Sequence, residues 1–351
     1  MTNILNTTSA PGKLILIGEY AVLEEAPSLV MAVNRTANVT VTSTDSTLLV
    51  SAAGLKIEKV SFEFFNGHFR WLSGSEKDHH ELRFFKAAVL EALNSIDASS
   101  FSGYHFELDT SEFFSSHVSG LKFGFGSSAA LTYAIVAAVI KTLAPDSNQS
   151  PERLLPLASS AHYQAQKKLG SGIDVAAAAY GGLIEYQLPE NRNPAASSIK
   201  RINWPDNLHL CCVFSGKSVS TRKLVTAVYE LQENNPDVFS THMQQMITHS
   251  RNAIEALGNG NTDRFVELSD TYGLSMQQLG KSAGVSIMSA EHLQLKELAN
   301  QCGAAYKPSG AGGGDIGIAL SSSEKIIQQT ASRFREEGFL VIDLAPYYHE
   351  I

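Results

Sequence analysis

The chain of 351 residues, 44% of them apolar, holds enough material for about two domains and a sizeable core. Its 27 basic and 35 acidic residues leave a formal charge of −8, which excludes general binding to nucleic-acid phosphates or to an anionic membrane surface. The longest uncharged apolar run, residues 129–140, falls well short of the roughly 20 needed to cross a bilayer, so no transmembrane helix is expected.

Residues 1–10 have neither the basic nor the apolar segment of a secretory signal, and the expected setting is the cytoplasm. Cys211 and Cys212 are adjacent on a predicted strand, where neighbours point to opposite faces, and Cys302 stands apart. Neither a disulfide framework nor a zinc site is expected from that spacing.

In chain order, β-rich runs at 14–17, 29–33, 37–41 and 47–50 separated by Gly, Pro, Asn and Asp predict a strand and hairpin region. Leu82, Phe85, Val89 and Leu93 recur at helical spacing and predict a helix over 78–93, followed by a strand at 104–108. An Ala-rich run predicts a buried helix over 129–143. After a loop, Ser150 and Pro151 suit the cap and first position of another helix, which Pro156 should kink or restart. The polar stretch 188–205 is the best candidate for a boundary between halves. Beyond it come a strand at 208–214, helices between 220 and 300 broken at 234–236 and 258–261, and then strand 304–307, a Gly loop, strand 316–320, helix 323–337 and strand 339–344. Strands grouped in this way, rather than alternating with helices, predict an α+β fold.

Three segments carry chemistry. Gly124-Phe125-Gly126-Ser127-Ser128-Ala129 sets two glycines and two hydroxyls ahead of a helix, where unpaired N–H groups and a partial positive charge suit an anion. A capped helix after a plain turn explains the same residues equally well. A dinucleotide-binding reading fails because no apolar strand enters the turn, and a P-loop ending at Gly216-Lys217-Ser218 fails because Cys211 stands where glycine is needed. The second segment, Lys307-Pro-Ser-Gly-Ala-Gly-Gly-Gly-Asp315, has four glycines in five residues, and close approach of its backbone to a ligand is the expected reason. The third is Asp174, a lone acid after Gly170-Ser171-Gly172-Ile173. It is either a helix N-cap or the partner of a cation, for which Lys13 is the candidate.

With these segments in order, the sequence resembles the GHMP kinase superfamily. The run Ala10-Pro-Gly-Lys-Leu-Ile-Leu-Ile-Gly-Glu-Tyr-Ala-Val-Leu is similar to motif one, residues 123–130 to the phosphate-binding motif two, and residues 309–320 to motif three. Residues 165–181 and 215–222 resemble phosphomevalonate kinases most. The resemblance implies a two-domain fold, with a ribosomal protein S5 domain 2-like N-terminal domain over 1–200 and a ferredoxin-like C-terminal domain over 201–351. It implies transfer of the ATP γ-phosphoryl group to 5-phosphomevalonate, with mevalonate kinase or another GHMP kinase as the alternative and a catalytically silent sensor further behind. ATP, Mg²⁺ and the acceptor are the implied ligands, and a monomer or homodimer the implied assembly.

The resemblance also assigns roles. Lys13 and Asp174 are the expected catalytic pair. Lys122, Gly124, Phe125, Gly126, Ser127, Ser128 and Ala129 are expected to hold ATP, with Ser127 or Ser128 on Mg²⁺. Around the acceptor the expected residues are Gly18, Glu19 and Tyr20 of motif one, and Ser171 and Gly172 beside Asp174. Lys217, Ser218, Ser220, Thr221 and Arg222 follow from the segment after residue 214, and Ser309, Gly310, Ala311, Gly312, Gly313 and Asp315 from motif three. Lys307 is a further candidate cation. Two departures stand out: Gln164 and Gln166 lie where mevalonate kinases carry a Mg²⁺-binding glutamate, and Phe125 replaces the usual leucine of motif two. A phosphate acceptor, with a second pKa near 6, is already mostly dianionic at pH 7, so Asp174 is expected to orient rather than to remove a proton.

Overall fold

The computed structural model describes residues 3–96, 98, 100–115, 120–166, 170–217 and 219–349. Its first part is built on a long antiparallel ladder between strands Ile4–Ile17 and Ser28–Ser43. The runs read as separate strands at 29–33 and 37–41 form one strand. Between the pairs Pro11–Thr36 and Gly12–Val33 the register shifts, so Asn34 and Arg35 bulge from the ladder instead of turning the chain.

Around this ladder a nine-stranded sheet runs in the order His68–Trp71, Ile57–Phe65, Leu48–Ala52, Tyr104–Asp109, Ser28–Ser43, Leu183–Gln187, Ser198–Ile202, with Ile4–Ile17 and Ser100–Phe101 pairing off that path. Strand Ser198–Ile202 lies inside the polar stretch read as a boundary; it is an edge strand, and its polar composition suits a ladder side open to water. Four helices, Arg83–Ser95, Ser127–Leu143, Pro151–Ala165 and Ile173–Tyr180, pack together and onto the ladder. The helix expected over 78–93 is broken at Leu82 into Glu76–Glu81 and Arg83–Ser95. Helix Pro151–Ala165 runs unbroken through Pro156, contrary to expectation. The ring there removes the bond to Glu152 only, and the buried face of Leu154, Leu155, Ala158, Ala161 and His162 holds the helix in place.

The second part is a four-stranded antiparallel sheet in the order Ala305–Pro308, Ile316–Ser321, His209–Phe214, Leu340–Ile342. Helices Thr221–Asn234, Pro236–Gly258, Thr262–Ser282, Ala290–Cys302 and Glu324–Glu336 accompany it. Cys211 and Cys212 do point to opposite faces: Cys212 joins the main core and Cys211 a smaller cluster with Tyr306 and Phe334. That main core is continuous from the first sheet to the helices of the second part. The C-terminal segment also returns to the first sheet, where the Tyr347 N–H donates to the Ala32 carbonyl at 2.9 Å. The parts are therefore apposed along one side, and the chemistry-bearing loops meet there. Among the described residues no helix is long and apolar enough to cross a membrane.

Candidate active site

Helix Ser127–Leu143 starts two residues earlier than its apolar pattern predicts, because Gly126 takes the left-handed conformation (φ 77°) that begins it. No side chain caps this end. The first amides of a long helix therefore point out of the loop 124–126, which is the geometry of an anion cradle. Lys13, on strand Ile4–Ile17, is bound to that loop twice: its backbone N–H donates to the Phe125 carbonyl at 2.8 Å and its Nζ to the Gly124 carbonyl at 3.2 Å. A Cβ at Gly126 would lie 3.3 Å from Lys13 Cγ and 3.4 Å from Asp174 Cβ, and a Cβ at Gly124 would lie 3.4 Å from Asp315 Cβ. Residues from four distant segments thus converge on the cradle. Burial pushes the Lys13 ammonium below its ordinary pKa, and the carboxylates of Asp174, Glu19 and Asp315, in that order, oppose the shift.

Asp174 sits in the first turn of helix Ile173–Tyr180, two residues past the cap position, which Gly172 holds with φ 78°. Its Oδ1 accepts from the Val175 N–H at 3.1 Å. It influences Lys13 through space, and among the described residues the two form no ion pair. Ser128 Oγ meets a group that sequence reasoning missed, His162 Nε2, at 3.3 Å, and the same nitrogen lies 3.2 Å from Gln166 Nε2. The available signal was a histidine on the apolar face of helix Pro151–Ala165 with a glutamine four residues on. Gln164 instead donates to Glu91 at 2.7 Å.

The third glycine segment departs most from expectation. A Cβ at Gly312 would come within 2.5 Å of the Ile287 carbonyl oxygen, at Gly313 within 2.9 Å of Leu224 Cδ1, and at Gly314 within 2.6 Å of the Lys217 carbonyl oxygen. On the side a Cβ would occupy, these three glycines admit the protein's own chain, whereas at Gly310 that side is open. Ser309 is likewise turned inward, its hydroxyl donating to the Ile15 carbonyl at 2.9 Å and accepting from the Ile15 N–H at 3.1 Å. Tyr20 donates to the Ala311 carbonyl at 2.6 Å, and Gly18 packs on Ser28 so closely that a Cβ would lie 2.1 Å from its Oγ. Glu19 and Lys307 form an ion pair with both side chains sealed from water, and Glu19 also accepts from the Gly310 N–H at 3.3 Å. Glu19, Tyr20, Ser309 and Lys307, expected around substrate, thus join motif one to motif three within the protein, while Gly18, Gly312 and Gly313 pack on Ser28, Ile287 and Leu224.

Residues 84–182 match the family model of the GHMP kinases N terminal domain. The whole chain is 28% identical to a phosphomevalonate kinase from a Streptomyces species, with 96% of each chain covered. It is 27% identical to a mevalonate kinase from Archaeoglobus fulgidus over 90% of this chain and 93% of that one. Its fold is that of the Streptococcus pneumoniae phosphomevalonate kinase solved in complex with phosphomevalonate and AMPPNP, at TM-score 0.77 and 20% identity, covering 98% of this chain and 100% of that one. The chain is a kinase, a phosphotransferase.

Toward the second part of this kinase, Gly216, Lys217, Ser220, Thr221 and Arg222 are all exposed, at the end of strand His209–Phe214 and the start of helix Thr221–Asn234. Lys217 is held in an ion pair by Glu291, whose carboxyl it draws down to about 2. Arg222 has no such acid among the described residues. Ser218 lies outside the described residues. The Asp315 N–H donates to the Lys217 carbonyl and its own carbonyl accepts from Ser215 N–H, which ties motif three to this segment. Ser171 is buried, its carbonyl accepting from the Tyr186 hydroxyl. Lys122 is exposed and lies 5.8 Å over the Phe114 ring. Phe125 and Ala129 are fully buried, so only their backbones are available to a ligand.

Proposed function

We propose that the chain transfers the γ-phosphoryl group of ATP to 5-phosphomevalonate, giving 5-diphosphomevalonate. The observation that carries this reading is the convergence of Lys13, the Gly124–Ser128 loop, Asp174 and Asp315 on one open helix N-terminus, together with relatives named for this acceptor. Phosphoryl transfer requires positioning and charge neutralisation more than covalent help. The amides of residues 126–128 cradle the nucleotide phosphates, and Lys13, anchored on the Gly124 carbonyl, supplies a positive charge to the group in transit. Exposed Arg222, with Thr221 beside it, grips the acceptor phosphate from the second part.

The donors at the cradle are hydroxyl and carboxylate oxygens, from Ser128, Asp174 and Asp315. That set fits a hard ion such as Mg²⁺, which is usually held by one or two carboxylates and the substrate phosphates rather than by a complete protein cage. Bound there, the ion would neutralise phosphate charge. Ser128 and Asp174 are the residues that would hold it.

The acceptor phosphate needs no base, so Asp174 orients Lys13. A pH–rate profile of Asp174→Asn should fall evenly at every pH; loss of one specific basic limb would make Asp174 a proton acceptor and favour an alcohol substrate. The mevalonate kinase reading has the Archaeoglobus relative in its support. A coupled ADP-release assay with mevalonate and with its 5-phosphate separates the two, and consumption of mevalonate alone would reject our choice. The boundary between domains is proposed near residue 200, after the last strand of the first sheet, Ser198–Ile202, and before the first of the second, His209–Phe214. All groups of this cleft come from one chain, so a monomer suffices, and a homodimer is compatible.

A further inference from the structure

His162 takes no part in the chemistry above, yet it lies against the phosphate loop. We propose that His162 is a positioning residue that fixes the Ser128 hydroxyl, with its proton toward the imidazole and its lone pairs toward the cleft. The proposal rests on the reading of residues 124–129 as the nucleotide cradle.

The ring is 4% exposed and is held on one face by Phe84, with ring centroids 5.3 Å apart and planes 28° from parallel. The Arg83 guanidinium lies 4.6 Å from the centroid of that same Phe84 ring. A ring so stacked cannot turn freely, and its Nε2 edge faces both Ser128 Oγ, at 3.3 Å, and Gln166 Nε2, at 3.2 Å. An amide nitrogen only donates. His162 Nε2 is therefore the acceptor, and the imidazole proton is assigned to Nδ1.

The Ser128 hydroxyl shares the Nε2 lone pair with the Gln166 amide in a three-centre arrangement and so donates to the ring. Its own lone pairs are then left for the cleft, so Ser128 meets a cation there and does not donate to a phosphate oxygen. A histidine that holds its neighbour in this way stands to the site as an outer partner of a ligand does, and loss of such partners typically costs about 10–100-fold in affinity or activity.

The test is calorimetric binding of AMPPNP, with and without Mg²⁺, to the full chain and to His162→Phe, His162→Gln and Ser128→Ala. His162→Phe preserves a ring to stack on Phe84 and removes the acceptor; it should weaken Mg²⁺-dependent binding by about tenfold or more and leave Mg²⁺-free binding unchanged. His162→Gln, which offers a carbonyl oxygen, should recover part of the loss. Combined with Ser128→Ala, His162→Phe should cost nothing further, whereas a purely structural role would add its full cost in that background and overturn the proposal. Should His162→Phe fail to fold, the ¹⁵N shifts of the wild-type imidazole decide: a proton on Nδ1 supports the assignment, and one on Nε2 sinks it. Wild-type protein that binds no AMPPNP refutes the cradle as well, while tight wild-type binding matched by His162→Phe refutes this inference alone.

Discussion

Two glycine-rich loops, each with its own lysine, lie on the two sides of the cleft and use their glycines for opposite ends. In loop 124–126 the missing side chains leave room beside Lys13, Asp174 and Asp315, and the lysine is partly accessible, bound to a carbonyl. In loop 310–314 three glycines are filled by Ile287, Leu224 and Lys217, and the lysine is sealed in an ion pair with Glu19. The difference teaches that glycine content locates close approach but not what approaches. The open loop is the one we propose for the nucleotide phosphates, and the filled loop is packed against the protein's own chain.

Exchanging each lysine for methionine breaks the comparison most sharply. Lys307→Met leaves Glu19 charged and buried without its partner, and such breaks cost about 3–5 kcal/mol; chemical denaturation should show it as a large fall in stability. Lys13→Met should leave the denaturation midpoint nearly unchanged while kcat falls by about 10²–10³-fold, the usual loss when one group that stabilises transition-state charge is removed. If both variants lost stability alike, the two loops would not differ in kind.

The filled loop is also tied by a histidine. His292 Nε2 donates to the Gly314 carbonyl at 3.0 Å and Nδ1 lies 2.8 Å from the Tyr306 hydroxyl. Burial depresses its pKa from 6.5 to about 4. The unfolded chain therefore takes up a proton in this window that the native protein refuses, so stability is present in full above pH 6.5 and is lost as pH falls toward 4. The loss converts to about 3 kcal/mol. Unfolding curves of wild type and His292→Gln between those pH values should converge in slope at neutral pH and diverge in acid; a wild-type curve as flat as the variant's would remove His292 from the joint.

Much of the cradle was legible in the sequence because its signals are local. Gly126 ahead of a long apolar run marks the helix start, and Asp174 and Lys13 are conspicuous as single charges in apolar surroundings. The joint was not legible, since Glu19 and Lys307 are far apart in the chain and each reads as an ordinary charge near a motif; only the folded ladder brings them together. Asn34 misled for a related reason, as an asparagine that signals a turn also suits a bulge. His162 carried a weak signal that composes only with Phe84 and Ser128 in place. The grouping of strands pointed correctly to α+β, while edge strand Ser198–Ile202 was hidden by the polarity that its exposure allows.

The smallest effects sharpen the comparison furthest, because alanine in place of a glycine without a left-handed backbone tests space alone. At Gly314 the new Cβ would lie 2.6 Å from a backbone carbonyl oxygen, which no flexible side chain can relieve. Gly314→Ala should then cost about 1–3 kcal/mol through overpacking, with the KM for ATP unaltered in the folded fraction. At Gly124 the Cβ would meet Asp315 at an ordinary 3.4 Å, so the fold admits it, with a change in stability within about 0.5 kcal/mol. The methyl group does occupy the side of the loop that faces Asp315, next to the proposed cradle, so its effect belongs in the KM for ATP, raised several-fold. Measured side by side, a stability loss at residue 124 or a nucleotide effect at residue 314 would reverse the assignment of the two loops.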